Sequence, residues 1–120
     1  MTDRQKTFGQ VLRARRIAKG YSLRKFAELV DVSPTYLSQV ERDKVESPPT
    51  VERLNRMADV LGESRDEFVS FAGRVPEDLP RIIQSRPDKF PELLRTTKGL
   101  KPDQLRELIE RAKEMKKKED

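Results

Sequence analysis

Neither cysteine nor histidine occurs anywhere in the 120 residues. Without them the chain lacks a thiolate nucleophile, an imidazole base, and the sulfur and nitrogen ligands of a zinc or redox-metal site. Disulfides are excluded outright. Carboxylate or lysine chemistry remains, but 39% of the residues are charged, and paired charges on such a chain are usually solvated surface. Neither enzymatic activity nor a cofactor is expected. Hydrophobic residues are scarce too, at 34%, and no apolar run approaches the roughly 18 residues of a membrane span or the 7–15 of a signal-peptide core. The expectation is a soluble, cytoplasmic protein with no membrane partner. The length suits one compact domain of about 70 residues with an appendage, its core built from narrow helical stripes.

Charge is abundant and unevenly spread. The formal net charge is +5, yet residues 1–25 alone carry eight Lys and Arg (Arg4, Lys6, Arg13, Arg15, Arg16, Lys19, Arg24 and Lys25) against Asp3. Such a field suits a polyanion such as nucleic acid, or an anionic membrane surface; an ordinary basic surface helix has the same composition.

The pattern along the chain is helical, with no strand signal. Residues 5–19 place Phe8, Val11, Leu12 and Ala18 on one side of a basic helix that Gly20 stops. Ser22 caps a second helix through Val30, with Phe26, Ala27 and Val30 inward. Ser33-Pro34 is a cap followed by proline at the first helical position, and opens a third helix from Pro34 to Arg42 with Leu37 and Val40 inward. Two helices a few residues apart, the second opening this way, have the local grammar of a helix-turn-helix. The small Ala27 lies where they would cross. Beyond a loop, Asp43 to Pro49, Thr50 caps a fourth helix with Val51, Leu54, Ala58 and Leu61 at spacings of a helical stripe, closed by Gly62. A fifth, Ser64 to Ala72, presents Phe68, Phe71 and Ala72. The expected fold is all-α: a five-helix domain over 1–73, followed by a helical C-terminal extension over 74–120.

The stretch FGQVLRARRIAKGYSLRKFAELVDVSPTYLSQVERDKVESPPTVERLNRMADVLG resembles the helix-turn-helix domain of the Cro/CI/Xre family of phage and bacterial repressors, over about residues 5–72. The likeness rests on Leu-Arg-x-x-Arg in helix 1, Gly-x-Ser before helix 2, the Phe-Ala pair, Ser-Pro-x-Tyr-Leu-Ser in helix 3 and the Glu-Arg after it. The combination is far more specific than a bare helix-turn-helix pattern.

The resemblance implies a lambda-repressor-like fold in which helix 3 enters the DNA major groove and helix 2 lies across the backbone. Pro34, Thr35, Ser38 and Gln39 then fall where side chains reach base edges, and the Gln39 amide suits a bidentate pair with adenine. Tyr36 is expected either to lay its ring on the sugar-phosphate or to be partly buried in the core. Phosphate contacts are expected from Ser22, Ser33 and Thr50 at helix starts, with Arg24, Arg42 and Lys44 as cationic partners; Lys25, Arg13 and Arg15 are weaker choices. For Arg16 the resemblance implies an ion pair with Glu41 that clasps helix 1 to the end of helix 3.

Three features depart from the family pattern. Asp31 stands where glycine is usual in a left-handed turn, Leu23 replaces a polar residue, and the Asp43–Pro49 loop is long. Asp43 and Glu46 in that loop are expected to face the phosphates unfavourably.

In residues 74–120, prolines at 76, 80, 87, 91 and 102 divide short helices. Leu79, Ile82 and Ile83 form one apolar cluster; Phe90, Leu93 and Leu94 form another. The last helix, Pro102 to Lys117, carries Leu105, Leu108, Ile109, Ala112 and Met115 on a stripe that something must cover. It either folds back on the first domain or pairs with a second chain. A homodimer is favoured because one module covers too little DNA for tight binding. The terminal Met-Lys-Lys-Lys-Glu-Asp is expected to be frayed and solvated.

The function these features and the resemblance indicate is a sequence-specific, double-stranded-DNA-binding transcriptional regulator of repressor type; a regulatory protein or small-molecule effector is left open as a further partner, with no dedicated ligand pocket in the sequence. The alternative is a protein–protein adaptor holding its partner through the same fold or the Leu-rich last helix.

Overall fold

The computed structural model describes residues 6–119. Asp3 and Arg4 of the basic segment, residue 5 at the expected start of helix 1, and Asp120 lie outside the described residues. Among those described there are eight helices and no strand: α1 (Phe8–Ala18), α2 (Leu23–Leu29), α3 (Pro34–Glu41), α4 (Val51–Leu61), α5 (Arg65–Phe71), α6 (Leu79–Ser85), α7 (Phe90–Thr97) and α8 (Pro102–Glu119). The chain divides into two compact units, Met1–Pro80 and Arg81–Asp120.

One local rule starts each of the first five helices. A Ser or Thr at the N-cap accepts a hydrogen bond from the backbone N–H three residues on: Thr7 from Gln10, Ser22 from Lys25, Ser33 from Tyr36, Thr50 from Arg53 and Ser64 from Glu67. At Thr7 the Gln10 side chain returns the bond to the Thr7 N–H, completing a capping box. Each cap contributes about 1 kcal/mol. With helices this short, that is a large share of what local structure can supply.

The stripes of the five helices close on one core. Leu12 of α1, Phe26 and Ala27 of α2, Leu37 of α3, and Leu54, Met57 and Ala58 of α4 are fully buried, and Phe68 and Val69 of α5 nearly so. Phe8 packs edge-on against Phe68, with centroids 5.2 Å apart. Two expected core residues are exposed instead, Ala18 and Phe71. At 100° per residue each lies roughly a third of a turn from the centre of its buried stripe. Met57 and Val69 occupy core positions that the expected stripes omitted.

Polar contacts lock the helix ends. Arg56 of α4 donates to the Val30 carbonyl at the end of α2 (3.2 Å) and lies 3.7 Å from the Asp31 carboxylate. Arg65 donates to both oxygens of Asp59, at 2.9 and 2.6 Å, joining α5 to α4. Those hydrogen bonds hold the Asp59 carboxyl below its ordinary range and raise Arg65.

In the second unit, α7 and α8 contain no buried residue, and Ile83, Phe90 and Leu100 are half-buried. Pro91 and Pro102 lie in the first turns of α7 and α8, where proline is tolerated. The terminal lysines, expected to fray, continue α8 to Glu119 and are exposed.

Candidate nucleic-acid interface

The helix-turn-helix is built by α2, a tight turn and α3. The turn closes through Asp31 N–H to the Glu28 carbonyl (3.2 Å) and Val32 N–H to the Ala27 carbonyl (3.0 Å). Asp31 takes the left-handed conformation, φ 60°, that the turn demands. Ala27 is fully buried at the crossing, where a larger side chain would push the two helices apart.

The two sides of α3 divide cleanly. Leu37, Val40 and Glu41 are buried, whereas Pro34, Thr35, Gln39 and Arg42 are exposed and Ser38 is half-buried. Positions 35, 38, 39 and 42 share one side by helical spacing, so the residues expected to read bases form a continuous outward row. No side-chain hydrogen bond engages the Gln39 amide among the described residues. Tyr36 is half-buried and packs against the core, and the Arg53 guanidinium carbon lies 4.9 Å from its ring centroid. The partial burial expected as the alternative for Tyr36 is therefore present, and one face of its ring is occupied.

The residues expected to meet phosphates lie at the starts of α2, α3 and α4, at the end of α3 and in the loop after it. Ser22, Ser33 and Thr50 are exposed, and their oxygens already accept from their own helices; each hydroxyl keeps its proton to donate outward. Arg24, Arg42 and Lys44 are exposed, with Arg42 Nε reaching the Ser38 carbonyl at 3.4 Å. Arg15 is turned to Glu63, and Lys25 lies 3.6 Å from Glu28; Arg13 is exposed.

Behind the row, Arg16 and Glu41 are buried, at 7% and 6% exposure. Arg16 Nε donates to Glu41 Oε2 (2.6 Å), Nη2 to Oε1 (3.0 Å) and Nη1 to the Tyr21 carbonyl (2.8 Å). Every guanidinium nitrogen has a partner, and three segments meet there: α1, the start of the helix-turn-helix and the end of α3.

The loop differs from expectation at Asp43. Its carboxylate turns away from the outward row and accepts from the Gly9 N–H (3.2 Å) and the Thr7 hydroxyl, so it caps α1 rather than facing the phosphates. Asp43 sits at φ 58°, a conformation Asp tolerates. Two further residues escaped the sequence reading. Arg53 stands over Tyr36. Arg74 donates to the Pro48 and Pro49 carbonyls, at 2.6 and 3.0 Å, fastening the segment after α5 to the loop. The Arg-Tyr pair spans a loop of irregular length, and the Arg74 bonds go to backbone, so no spacing rule could have paired them.

Further along the chain, Leu105, Leu108, Ile109, Ala112 and Met115 of α8 are all exposed, Met115 at 68% and Ile109 at 54%. Among the described residues, no helix is long and apolar enough to cross a membrane, and no group of three or more Asp or Glu could hold a metal ion.

The helix-turn-helix family model HTH_3 matches residues 12–68. A crystal structure of SinR, the master regulator for biofilm formation, in complex with DNA has 34% identity; the alignment covers 52% of this chain and 97% of that one, with a TM-score of 0.48. The chain belongs to this Cro/CI/Xre-type helix-turn-helix family. Another similar structure, the P22 c2 repressor in complex with a synthetic operator, has 30% identity, covering 53% of this chain and 94% of that one at a TM-score of 0.48. A SinR/SinI protein complex aligns over 92% of this chain and 99% of that one, with 25% identity and a TM-score of 0.50. No curated protein matches. The family match begins at Leu12 and ends at Phe68, so it contains both partners of the Arg16–Glu41 clasp and the whole outward row.

Proposed function

We propose that this family member is a sequence-specific, double-stranded-DNA-binding transcriptional repressor whose α3 reads the major groove. The observation that carries the reading is the two-sidedness of α3. Leu37, Val40 and the Glu41 carboxylate anchor one side in the core, and the other offers Thr35, Ser38, Gln39 and Arg42 in a row of polar tips. A helix held this firmly from behind can be pressed into a groove without losing its register. Thr35 supplies a hydroxyl and a methyl, Gln39 a donor and an acceptor in one plane, and Pro34 shape alone. Ser22, Ser33, Thr50, Arg24, Lys44 and Tyr36, with Arg42 at the end of the row, serve the sugar-phosphate backbone.

Selection from a random duplex pool with the full-length protein tests this directly: a palindromic consensus is the expected result, and absence of enrichment contradicts it. On the selected site, Gln39→Ala is expected to cost about 1–3 kcal/mol and to relax preference at one base pair. An equal loss on random duplex would show that Gln39 reads no base.

Residues 1–73 serve as the DNA-binding module in this reading, and 74–120 as the dimerisation extension through the apolar row Leu105, Leu108, Ile109, Ala112 and Met115. The exposure of that row supports the assignment, because an amphipathic helix with nothing on its apolar side is unstable alone. Truncation after Pro80 spares the Arg74 bonds to the loop. Truncated protein is expected to sediment as a monomer and to lose about 100-fold in operator affinity, since the second half-site is no longer held at high effective concentration. A dimer after truncation would place the interface elsewhere.

An adaptor role for the second unit has its own support, because the structure aligned with nearly the whole chain is a complex of two proteins. Binding to duplex over a salt series separates the two readings. Several phosphate contacts make affinity fall steeply with salt, whereas a flat response favours the adaptor.

A further inference from the structure

Beside Gln39 a cleft of about 440 Å³ runs between α3, the following loop and the start of α4. Tyr36, Gln39, Lys44, Glu46, Thr50 and Arg53 are among its lining residues. Arg53 is exposed, and it takes part in none of the salt bridges among the described residues, whereas its neighbour on α4, Arg56, is paired with Glu52 and Asp31. Its contact is with an aromatic face, 4.9 Å from the Tyr36 centroid. A cation over a ring is held in place without using its N–H donors. The planar fork of a guanidinium then remains ready for the two oxygens of a phosphodiester.

We propose that Arg53, steadied on Tyr36, is a phosphate clamp of the DNA interface, holding the backbone next to the base pair that Gln39 reads. The inference rests on the DNA-binding reading above and adds a residue to it. Lys44 supplies a second positive charge in the same cleft. Glu46 opposes both and weakens binding. Arg74, also at the cleft, is engaged by the Pro48 and Pro49 carbonyls and shapes the loop instead. Tyr36 acts here as a positioning residue: its ring limits where the guanidinium can go. A phosphodiester of duplex DNA is the ligand, because Gln39, the base reader of the row, is itself part of the cleft wall.

The test is fluorescence anisotropy of the full chain with selected and random duplexes across a salt series, alongside thermal melts. Arg53→Ala should lower the melting temperature by no more than a few degrees, since the exposed side chain gives up only its contact with the Tyr36 ring. It should also bind both duplexes about five- to tenfold more weakly, with a salt slope shallower by about 0.9. Arg53→Lys should retain the slope while losing part of the affinity, and Glu46→Gln should bind more tightly. An unchanged slope and affinity for Arg53→Ala, in a protein whose wild type binds with a steep salt dependence, overturns the clamp and leaves the DNA reading intact. Wild-type protein that shows no salt-dependent binding overturns both. Stabilisation of the wild type, but not of Arg53→Ala, by millimolar inorganic phosphate alone would make the cleft a small-anion site and would also overturn the clamp.

Discussion

Gly9→Ala is expected to destabilise the first unit by about 3 kcal/mol. The usual sign is the reverse, because alanine is favoured over glycine in a helix by up to about 1 kcal/mol. Packing decides against it here. A Cβ on Gly9 would overlap the Val40 carbonyl oxygen, and would stand 2.7 Å from both the Glu41 carbonyl and Asp43 Oδ1. Two of those three atoms are backbone at the end of α3, so relief requires α1 and α3 to separate. Separation would strain the Asp43 cap on the Gly9 N–H and the Arg16–Glu41 clasp together. At roughly 4–8 °C per kcal/mol for a domain of this size, the melting temperature should fall by more than about 10 °C. A melting temperature equal to or above that of the wild type would mean that the helices are not held this close.

Glu41→Ala is expected to cost about 3–5 kcal/mol, because it leaves a guanidinium buried at 7% exposure with no counter-charge. The pair itself contributes much less than that figure, since burying two ions is costly even when they meet. Replacing both, as Arg16→Met with Glu41→Leu, should therefore recover most of the loss. Recovery would be incomplete because the Tyr21 carbonyl loses its donor from Arg16 Nη1. Urea unfolding of Arg16→Met, Glu41→Leu and the double variant completes the cycle. Additive losses would show that the two side chains do not act as a unit.

The elements were legible in the sequence because each is set by local chemistry. Ser22, Ser33 and Thr50 announce their helices by residue type, Pro34 fits the first turn of α3, and Gly62 sits at φ 72° where α4 ends. The inward residues of α2 and α3 followed from periodicity. Periodicity failed at the ends of stripes, where Ala18 and Phe71 are apolar yet rotated away from the core. It also failed at Gly9, whose burial comes from a close approach by α3, an approach that leaves no mark on the residues near it in sequence.

The site divides in the same way. Pro34, Thr35, Ser38 and Gln39 share one side of a single helix, so helical spacing together with the family resemblance grouped them. The role of Asp43 depended on how a seven-residue loop folds back on α1, and the Arg53–Tyr36 stack on how α4 meets α3. Charge counts treated Asp43 as a liability toward phosphate. The geometry makes it a helix cap, because a carboxylate near backbone N–H groups at a helix start is better satisfied there than in solvent.

Competition between specific and random duplex for the full-length protein, measured by anisotropy from low to moderate salt, tests the α3 surface most directly. The account predicts that affinity for both duplexes drops steeply as salt rises, and that a selected site is preferred at every salt by at least about a thousandfold. Equal affinity for selected and random duplex at all salts would contradict it, because the outward row of α3 would then be reading nothing.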